Sequence, residues 1–252
     1  MKIRREQIEV FEEARLPAFE DEMVEHLKEF TPMHSEVLGE EGIRPIIQLG
    51  MERAKKYGWT HKGPVRFYIE LFFMLGVDFD TDPQFPWTRQ LLADPSVPDQ
   101  TERADRLHAK VMDYIEVVGG PSREYAKRAL SKAKALPFEG TPVSSADFEN
   151  EVIRRMNTMH PEKCSYVGEK PLRSLIPHAL KQAQQYSVTS DAGVALFIGL
   201  MFALGHGVIT DPKYPFIERT LKNTRFADPA KRAERAYAKI MTYLDHVQHL
   251  EG

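Results

Sequence analysis

The residues most able to do chemistry are the carboxylates that alternate between Asp78 and Asp82. This segment reads Asp-Phe-Asp-Thr-Asp, which is the ligand spacing that opens the calcium loop of an EF-hand. The sixth position holds Pro83, where the sharp turn of such a loop needs glycine, and the twelfth holds Arg89, where a bidentate glutamate belongs. The segment is therefore not predicted to be an EF-hand, and we expect no metal ligands in this chain.

Other groups of reactive residues also fall short of a catalytic site. Glu25 and His26 are adjacent, so on a helix their side chains point about 100° apart and do not converge on one ion. Cys164 lacks an obvious local activating base and is expected to be a packing residue. The sequence contains no glycine-rich phosphate loop, nucleophile elbow or His-Glu-x-x-His motif. We therefore expect neither catalytic residues nor a cofactor.

Composition and charge restrict the class of protein. The chain is 42% hydrophobic with a formal net charge of -3, which indicates a folded globular protein without the concentrated basic face of a nucleic-acid-binding domain. The apolar run from Ala192 to Val208 is shorter than the roughly 20 residues of a membrane-spanning helix. The N-terminus lacks the apolar core of a signal peptide, and the single Cys164 cannot form an internal disulfide. We therefore expect a cytoplasmic protein that binds neither nucleic acid nor membrane.

The sequence contains an internal repeat, so the helices that would position a functional site are expected in two copies. Shifting the sequence against itself by about 129 residues aligns residues 19–118 with residues 148–247 without a gap, with about thirty identities over roughly a hundred positions. The Thr-Asp-Pro segment that contains Asp82, for example, aligns with the one that contains Asp211. A period of this length is the size of a small domain, so the repeat predicts a duplicated domain and not a solenoid.

Both copies have the hydrophobic periodicity of helices. Apolar residues recur at three- and four-residue steps within residues 7–30, 43–57, 64–75 and 101–118, with a break predicted near Pro17, and no long alternating strand pattern occurs. We predict an all-α protein made of two tandem four- to five-helix domains related by pseudo-twofold symmetry. Its parts are a first repeat over 1–120, a linker with a connecting helix over 121–145, and a second repeat over 146–252.

Residues that both copies share are expected to serve the architecture. Asp82 and Asp211 are each followed by proline, a pattern typical of an aspartate that caps a helix or turn with proline in the first position. A specific site is expected where the two copies differ or in the groove between them, because pockets often form between domains.

The first copy carries the candidate binding residues. Its first helix is unusually acidic, whereas the second copy has Arg154 and Arg155 in the positions of Glu25 and His26. Tryptophan is favoured as an interface anchor and occurs only in the first copy, although core packing is the alternative. The predicted partner-binding residues are the acidic side chains, the two tryptophans and the two carboxylates that are not repeated: Glu12, Glu13, Glu20, Glu25, Trp59, Trp87, Asp78 and Asp80.

Three segments of the first copy resemble a family of uncharacterised bacterial proteins encoded beside type VI secretion and polymorphic-toxin genes. These segments are residues 2–11, which read KIRREQIEVF, residues 19–27, which read FEDEMVEHL, and residues 76–83, which read GVDFDTDP. The resemblance implies an accessory role, either as an immunity protein that blocks a toxin or as an adaptor that helps to load one. It assigns no function to individual residues.

These observations favour a non-enzymatic protein that binds another protein, such as a toxin or effector, through a helical surface. An acidic face would speed the encounter with a basic partner. The alternatives are an enzyme or small-ligand-binding protein with a polar pocket between the two repeats, and a self-assembling structural component. Converging titratable groups in a buried cleft would favour the pocket, and an exposed acidic or apolar patch would favour protein binding.

Overall fold

The computed structural model describes the backbone of residues 5–135 and 146–250, and the side chains of residues 18–135 and 146–246. Throughout these ranges the chain forms helices joined by turns and loops, without a strand, so the predicted all-α class is confirmed. Within the same ranges, no helix combines the length and the apolar character that crossing a bilayer requires.

The α-helices range from 7 to 26 residues in length. Two 3-10 helices, at Pro121–Arg123 and Val208–Thr210, lie among them. The α-helices are α1 (Arg5–Phe30), α2 (Pro32–Lys56), α3 (Lys62–Leu75), α4 (Pro86–Leu92), α5 (Gln100–Gly119), α6 (Glu124–Ala135), α7 (Phe148–Met159), α8 (Pro161–Val167), α9 (Glu169–Gln185), α10 (Asp191–Leu204), α11 (Pro215–Leu221) and α12 (Pro229–Leu250).

Several helix bounds follow the register of the sequence repeat. α3 and α10 begin and end at aligned positions, as do α4 and α11, and α5 and α12 begin at aligned positions. α6 is the connecting helix expected in the linker, and residues 136–145 of that linker lie outside the described residues. The domain bounds derived from the repeat stay a prediction.

Glycine sets the main irregularity of α2. Gly39 has φ 62° and ψ 176°, so the helix is interrupted there and resumes in a new direction. The aligned Gly168 has φ 84° and separates α8 from α9. Such positive φ values strain any residue with a Cβ. The sequence instead predicted a break near Pro17, which is wrong, because α1 runs from Arg5 through this position to Phe30.

By internal contacts the chain divides into two compact units, residues 1–74 and residues 75–252. In the first unit the core lies between the apolar faces of α1, α2 and the part of α3 that precedes Leu75. Its most deeply buried side chains are Met23, Leu27, Ile43, Ile46, Ile47, Trp59, Tyr68, Ile69 and Phe72. A hydrogen bond of 2.7 Å between His26 Nε2 and Glu70 Oε1 joins α1 to α3 beside this core.

In the second unit the largest core surrounds α10. This helix contains most of the apolar run from Ala192 to Val208, and its side chains pack with those of α7, α9, α11 and α12, as predicted for a central core helix. The most deeply buried members are Leu175, Ala179, Phe197, Met201, Ile209, Ile217, Ala233 and Ala236. The run is therefore apolar because it is buried within the protein.

Two glycine turns approach each other closely in the second unit. Gly76 has φ 106°, and a Cβ added to it would lie 2.7 Å from the carbonyl oxygen of Leu204. Gly205, at the aligned position, has φ 100°, and its Cβ would lie 3.0 Å from the carbonyl oxygen of Leu75. Glycine is required at both positions, because the backbone conformation and the space available each exclude a side chain.

The Gly76→Ala variant should therefore unfold more easily than the natural protein, by about 2–3 kcal/mol, because alanine adds both a left-handed backbone and a steric clash. Gly199→Ala is a matched control, since Gly199 lies inside α10 and a Cβ added there would meet no neighbouring atom within 4 Å. That change should raise the free energy of unfolding by about 0.5–1 kcal/mol. Denaturant unfolding followed by circular dichroism measures both, and equal midpoints for G76A and the natural protein would contradict the close approach.

Candidate functional site

The two predicted acidic residues of α1 that can be described, the partly buried Glu20 and the exposed Glu25, both form hydrogen bonds within the protein. Glu20 Oε1 accepts a hydrogen bond of 2.6 Å from Gln48 Nε2, and Glu25 Oε1 accepts one of 2.8 Å from Lys28 Nζ. The side chains of Glu12 and Glu13 lie outside the described residues. Glu20 and Glu25 therefore each stabilise the fold through a hydrogen bond to another side chain of the protein.

Further ion pairs tie the acidic face of α1 to its neighbours. Arg44 of α2 lies 2.8 Å from Asp21, and Lys62 of α3 lies 2.7 Å from Glu22. Lys28 also binds Glu40 of α2 at 2.8 Å, and its hydrogen bonds to Glu25 and Glu40 raise the pKa of its amine above the ordinary value. These pairs neutralise much of the negative charge on the second half of α1.

Unpaired negative charge instead lies where α1 ends and α2 begins. Glu29, Glu36 and Glu41 are exposed, and none of them forms an ion pair with any side chain in the described ranges. Phe30 and Val37 lie among them in the sequence, with 39% and 48% of their surface exposed. We call these five residues the junction surface. The sequence did not predict it, because only the structure shows which of the many carboxylates in α1 and α2 are paired.

The two tryptophans are packing residues in this structure. Trp59 is 1% exposed, and its ring contacts that of Tyr68 with a centroid distance of 6.1 Å. Trp87 is partly buried and lies against Phe85 and Tyr114, at centroid distances of 5.9 and 6.4 Å. Trp59 is therefore a core residue, which was the alternative to an interface anchor, and Trp87 lies at the edge of an aromatic cluster.

Asp78 and Asp80 lie close to the Gly205 turn. Asp80 is buried, with 8% of its surface exposed, and Asp78 is partly buried. A Cβ added to Gly207 would lie 2.0 Å from Asp78 Oδ2, so the carboxylate occupies the space of the missing side chain. Asp78 and Gly207 are at aligned positions of the repeat. The two copies differ there because a side chain at residue 207 would occupy the same space as that of Asp78. In the described part of the chain no three His, Cys, Asp or Glu side chains are grouped so as to hold a metal ion.

Asp82 and Asp211 are the most connected buried carboxylates. Asp82 Oδ2 accepts a hydrogen bond of 2.7 Å from the backbone N–H of His206, and Asp211 Oδ2 accepts one of 3.4 Å from the N–H of Val77. The contacts are reciprocal, because Val77 and His206 are aligned in the repeat. Each aspartate also accepts a hydrogen bond of 2.8 Å from the N–H two residues later, at Gln84 or Lys213.

These two residues therefore cap turns and not helices. The sequence allowed for a helix beginning at Pro83 or Pro212, but α4 begins at Pro86 and α11 at Pro215. An aspartate that binds the N–H two residues later forms an Asx turn. We call Asp82, Gln84, His206, Asp211 and Lys213 the buried crossing.

Two lysines are buried here, Lys213 within the crossing and Lys163 beside it. Lys163 Nζ donates to the carbonyl of Phe202 and lies 4.9 Å from the centre of its ring. Burial lowers the pKa of Lys163 to about 8, although the charge of Asp82 acts in the opposite direction. Lys213 Nζ lies 3.5 Å from Asp211 Oδ2. Burial lowers the pKa of Lys213 and raises that of Asp211, because a buried charge is costly even when it is paired.

Cys164 is partly buried and chemically quiet. Burial raises the pKa of its thiol to about 11, although the neighbouring Lys163 acts in the opposite direction. At neutral pH the sulfur is protonated, and the protonated thiol is a poor nucleophile. Its side chain packs against the core around α10, as expected from the sequence.

His206 should make stability depend on pH. Burial lowers its pKa, but the carboxylate of Asp82, whose Oδ2 lies 3.4 Å from His206 Nδ1, outweighs burial and raises it, with smaller contributions from Asp78 and Asp80. A raised pKa in the folded state means that protonation of His206 favours folding. The contribution is complete below the unfolded value of about 6.5 and disappears as the pH rises through the folded value.

The difference in unfolding free energy between the natural protein and His206→Gln should therefore be larger at pH 5.5 than at pH 8.5. His160→Gln is the opposite control, because burial lowers the pKa of His160 in the folded state. The difference in unfolding free energy between the natural protein and H160Q should be larger at pH 8.5 than at pH 5.5. Urea unfolding at both pH values measures the two variants, and a pH-independent difference for H206Q would exclude the contact with Asp82.

Comparison of the chain with protein-family models, with curated proteins and with solved structures finds no match in any of the three.

Proposed function

We propose that this protein binds another protein through the junction surface, formed by Glu29, Phe30, Glu36, Val37 and Glu41, and that it performs no chemical reaction itself. The partner would present a basic face with an apolar centre. A cytoplasmic immunity protein or adaptor for a toxin or effector, the role that the sequence resemblance implies, is consistent with this mode of binding.

The observation that carries the proposal is the exposure of two apolar side chains close in sequence to exposed carboxylates that form no ion pair in the described ranges. Phe30 and Val37 are two of the three large hydrophobic side chains that are exposed in the described residues. Apolar side chains at the centre of an interface supply much of the binding energy, whereas charges at its rim steer the encounter. The junction surface has both properties.

The aligned region of the second copy is different. Tyr166 of α8 stands in the position of Val37, and its ring packs against Tyr114 of α5 with a centroid distance of 5.3 Å. Its hydroxyl donates to Asp113. Ser165 and Thr158 replace Glu36 and Glu29. Lys170 replaces Glu41. In the second copy the aromatic side chain is therefore packed and all three carboxylates are absent, which supports a function specific to the first copy.

We further propose that the two copies are related by a pseudo-twofold axis. The reciprocal contacts Val77 with Asp211 and His206 with Asp82 are what such an axis would generate from one kind of contact. The common bounds of aligned helices are also in agreement. In this arrangement the shared residues maintain the architecture, and partner binding lies on a surface where the copies differ.

The buried crossing gives less support to a polar active site. Its carboxylates are occupied by backbone N–H groups, and Gln84 Nε2 donates to Asp82 Oδ2 at 3.2 Å and to the carbonyl of Met201 at 3.0 Å. These hydrogen bonds satisfy the carboxylates and the Gln84 amide N–H groups, which would otherwise be costly to bury. Such a network holds turns in place.

Charge reversal tests the proposed surface. The triple variant Glu29→Lys, Glu36→Lys, Glu41→Lys should capture less of the partner, because the mutated charges steer association and none of them is needed for an internal ion pair. The control variant Asp105→Lys, Glu116→Lys, Glu124→Lys makes the same charge change at exposed positions of α5 and α6 that form no described ion pair. Affinity capture from the native cell, followed by mass spectrometry, compares both variants with the natural chain.

For a protein captured by the natural chain and by the control, association with the E29K/E36K/E41K variant should be about tenfold slower at low salt, with less dependence on salt. Phe30→Ala with Val37→Ala should instead raise the dissociation rate about tenfold or more. Circular dichroism confirms that the variants are folded. Equal binding of the natural chain, both charge variants and the alanine variant would exclude the junction surface as the site.

A further inference from the structure

A groove with a volume of about 630 Å³ runs between α11 and α12 in the second unit. Three cationic side chains and two aromatic rings line it, together with small and neutral residues. The members of this basic groove are Phe216, Arg219, Thr220, Asn223, Phe226, Arg235, Ala238 and Lys239. From this lining we propose that the groove binds a small organic phosphate, with the phosphate among the cations and an apolar or planar part against Phe216.

Neighbouring groups hold the cations in position. The guanidinium carbon of Arg235 lies over the Phe226 ring, 3.8 Å from its centre. Lys239 Nζ donates to Thr220 Oγ1 at 2.9 Å, and Arg219 Nε donates to the carbonyl of Pro215 at 3.1 Å. A stacked or anchored guanidinium keeps other N–H groups available, and it loses less conformational entropy when it binds an anion.

The charge of the groove is not neutralised from within. No carboxylate lines it, and within the described residues neither Arg235 nor Arg219 forms an ion pair. Glu218, the nearest acidic residue in sequence to Arg219, is instead paired with Lys222 at 2.7 Å. A groove that contains three positive charges and no negative charge favours an anionic ligand.

The aligned residues of the first copy show how such charges are neutralised when no anion is bound. Arg106, which aligns with Arg235, pairs with Glu102 at 2.7 Å and lies 3.9 Å from Asp94. Lys110, which aligns with Lys239, pairs with Asp113 at 2.8 Å. The second copy has Lys231, Asn223 and Thr242 in the positions of these three carboxylates. The cations therefore remain while their internal counter-ions are absent.

The number and kind of donors favour a phosphate monoester over a carboxylate. A phosphate monoester carries a charge of about -1.5 to -2 at neutral pH and has three strong acceptor oxygens, which match in number the three cations that line the groove. Arginine binds phosphate in a bidentate manner. The volume of the groove is within the range of small-molecule sites, and the partly buried Phe216 provides an apolar wall beyond the cations.

Isothermal titration calorimetry of the full chain with AMP, inorganic phosphate and adenosine tests the proposal at low salt. AMP should bind saturably and more tightly than either of the other two probes, because it alone combines the phosphate with a planar group. A single-stranded oligonucleotide is a fourth probe, and it should bind no more tightly per phosphate than AMP.

Arg235→Gln with Lys239→Gln should weaken AMP binding by about 10- to 100-fold, since each charge-assisted hydrogen bond to phosphate contributes about a factor of ten. Arg219→Gln alone should weaken it by about tenfold. The control Arg225→Gln with Lys231→Gln removes two exposed cations nearby that do not line the groove, and it should change binding less than twofold. Thermal unfolding of each variant establishes that it is folded.

The proposal would be overturned if AMP showed no saturable binding at millimolar concentration, or if it bound R235Q/K239Q as tightly as the natural protein. Equal affinity of AMP and inorganic phosphate would also overturn it and would assign the groove to free phosphate. Tight binding of the oligonucleotide without binding of AMP would overturn it and would assign the groove to nucleic acid.

Discussion

The reciprocal capture of backbone N–H groups by Asp82 and Asp211 is the constraint on which the structure of residues 75–252 depends. Each carboxylate is almost fully buried, with 3% and 1% of its surface exposed, and each receives an N–H from a distant turn as well as one from its own turn. Burial makes these acceptors costly to lose, because an unpaired buried N–H costs about 1–3 kcal/mol. The contact also explains why the two adjacent turns contain glycine, since a side chain at either position would separate the groups that bind each other.

Because the buried crossing maintains the fold, its buried polar residues can be distinguished from the exposed residues proposed to bind partners or ligands. Lys163 and Lys213 have lowered pKa values because they are buried, and both are engaged by a carbonyl or a carboxylate inside the protein. Perturbed titration alone would have marked them as active-site residues. Exposed features differ between aligned parts of the chain. In the described part of the chain, the carboxylates and exposed apolar side chains of the junction surface are not repeated at the aligned positions of the second copy. The carboxylates that pair with Arg106 and Lys110 are likewise not repeated beside the basic groove.

Sequence periodicity predicted the helical class and the role of α10 as a core helix, because burial of an apolar face is a local pattern that a sequence records directly. The Thr-Asp-Pro segments were recognised as turns, but their partners at His206 and Val77 were not, since a hydrogen bond between distant turns has no local signature. Pro17 was expected to break α1 and does not. The interruption of α2 at Gly39 was missed, although the aligned Gly168 held the same information. The functional surfaces depend on which charges are paired, and pairing is a tertiary property that composition does not reveal.

The distinction between an architectural crossing and functional surfaces is tested most directly with Asp82→Asn, by measuring stability and binding on the same sample. The amide leaves one donor of the crossing without an acceptor, so the free energy of unfolding should fall by about 1–3 kcal/mol. At a temperature where the variant remains folded, capture of the partner protein and binding of AMP should equal those of the natural chain. Loss of either binding activity with an unchanged unfolding curve would show instead that the crossing is itself a functional site.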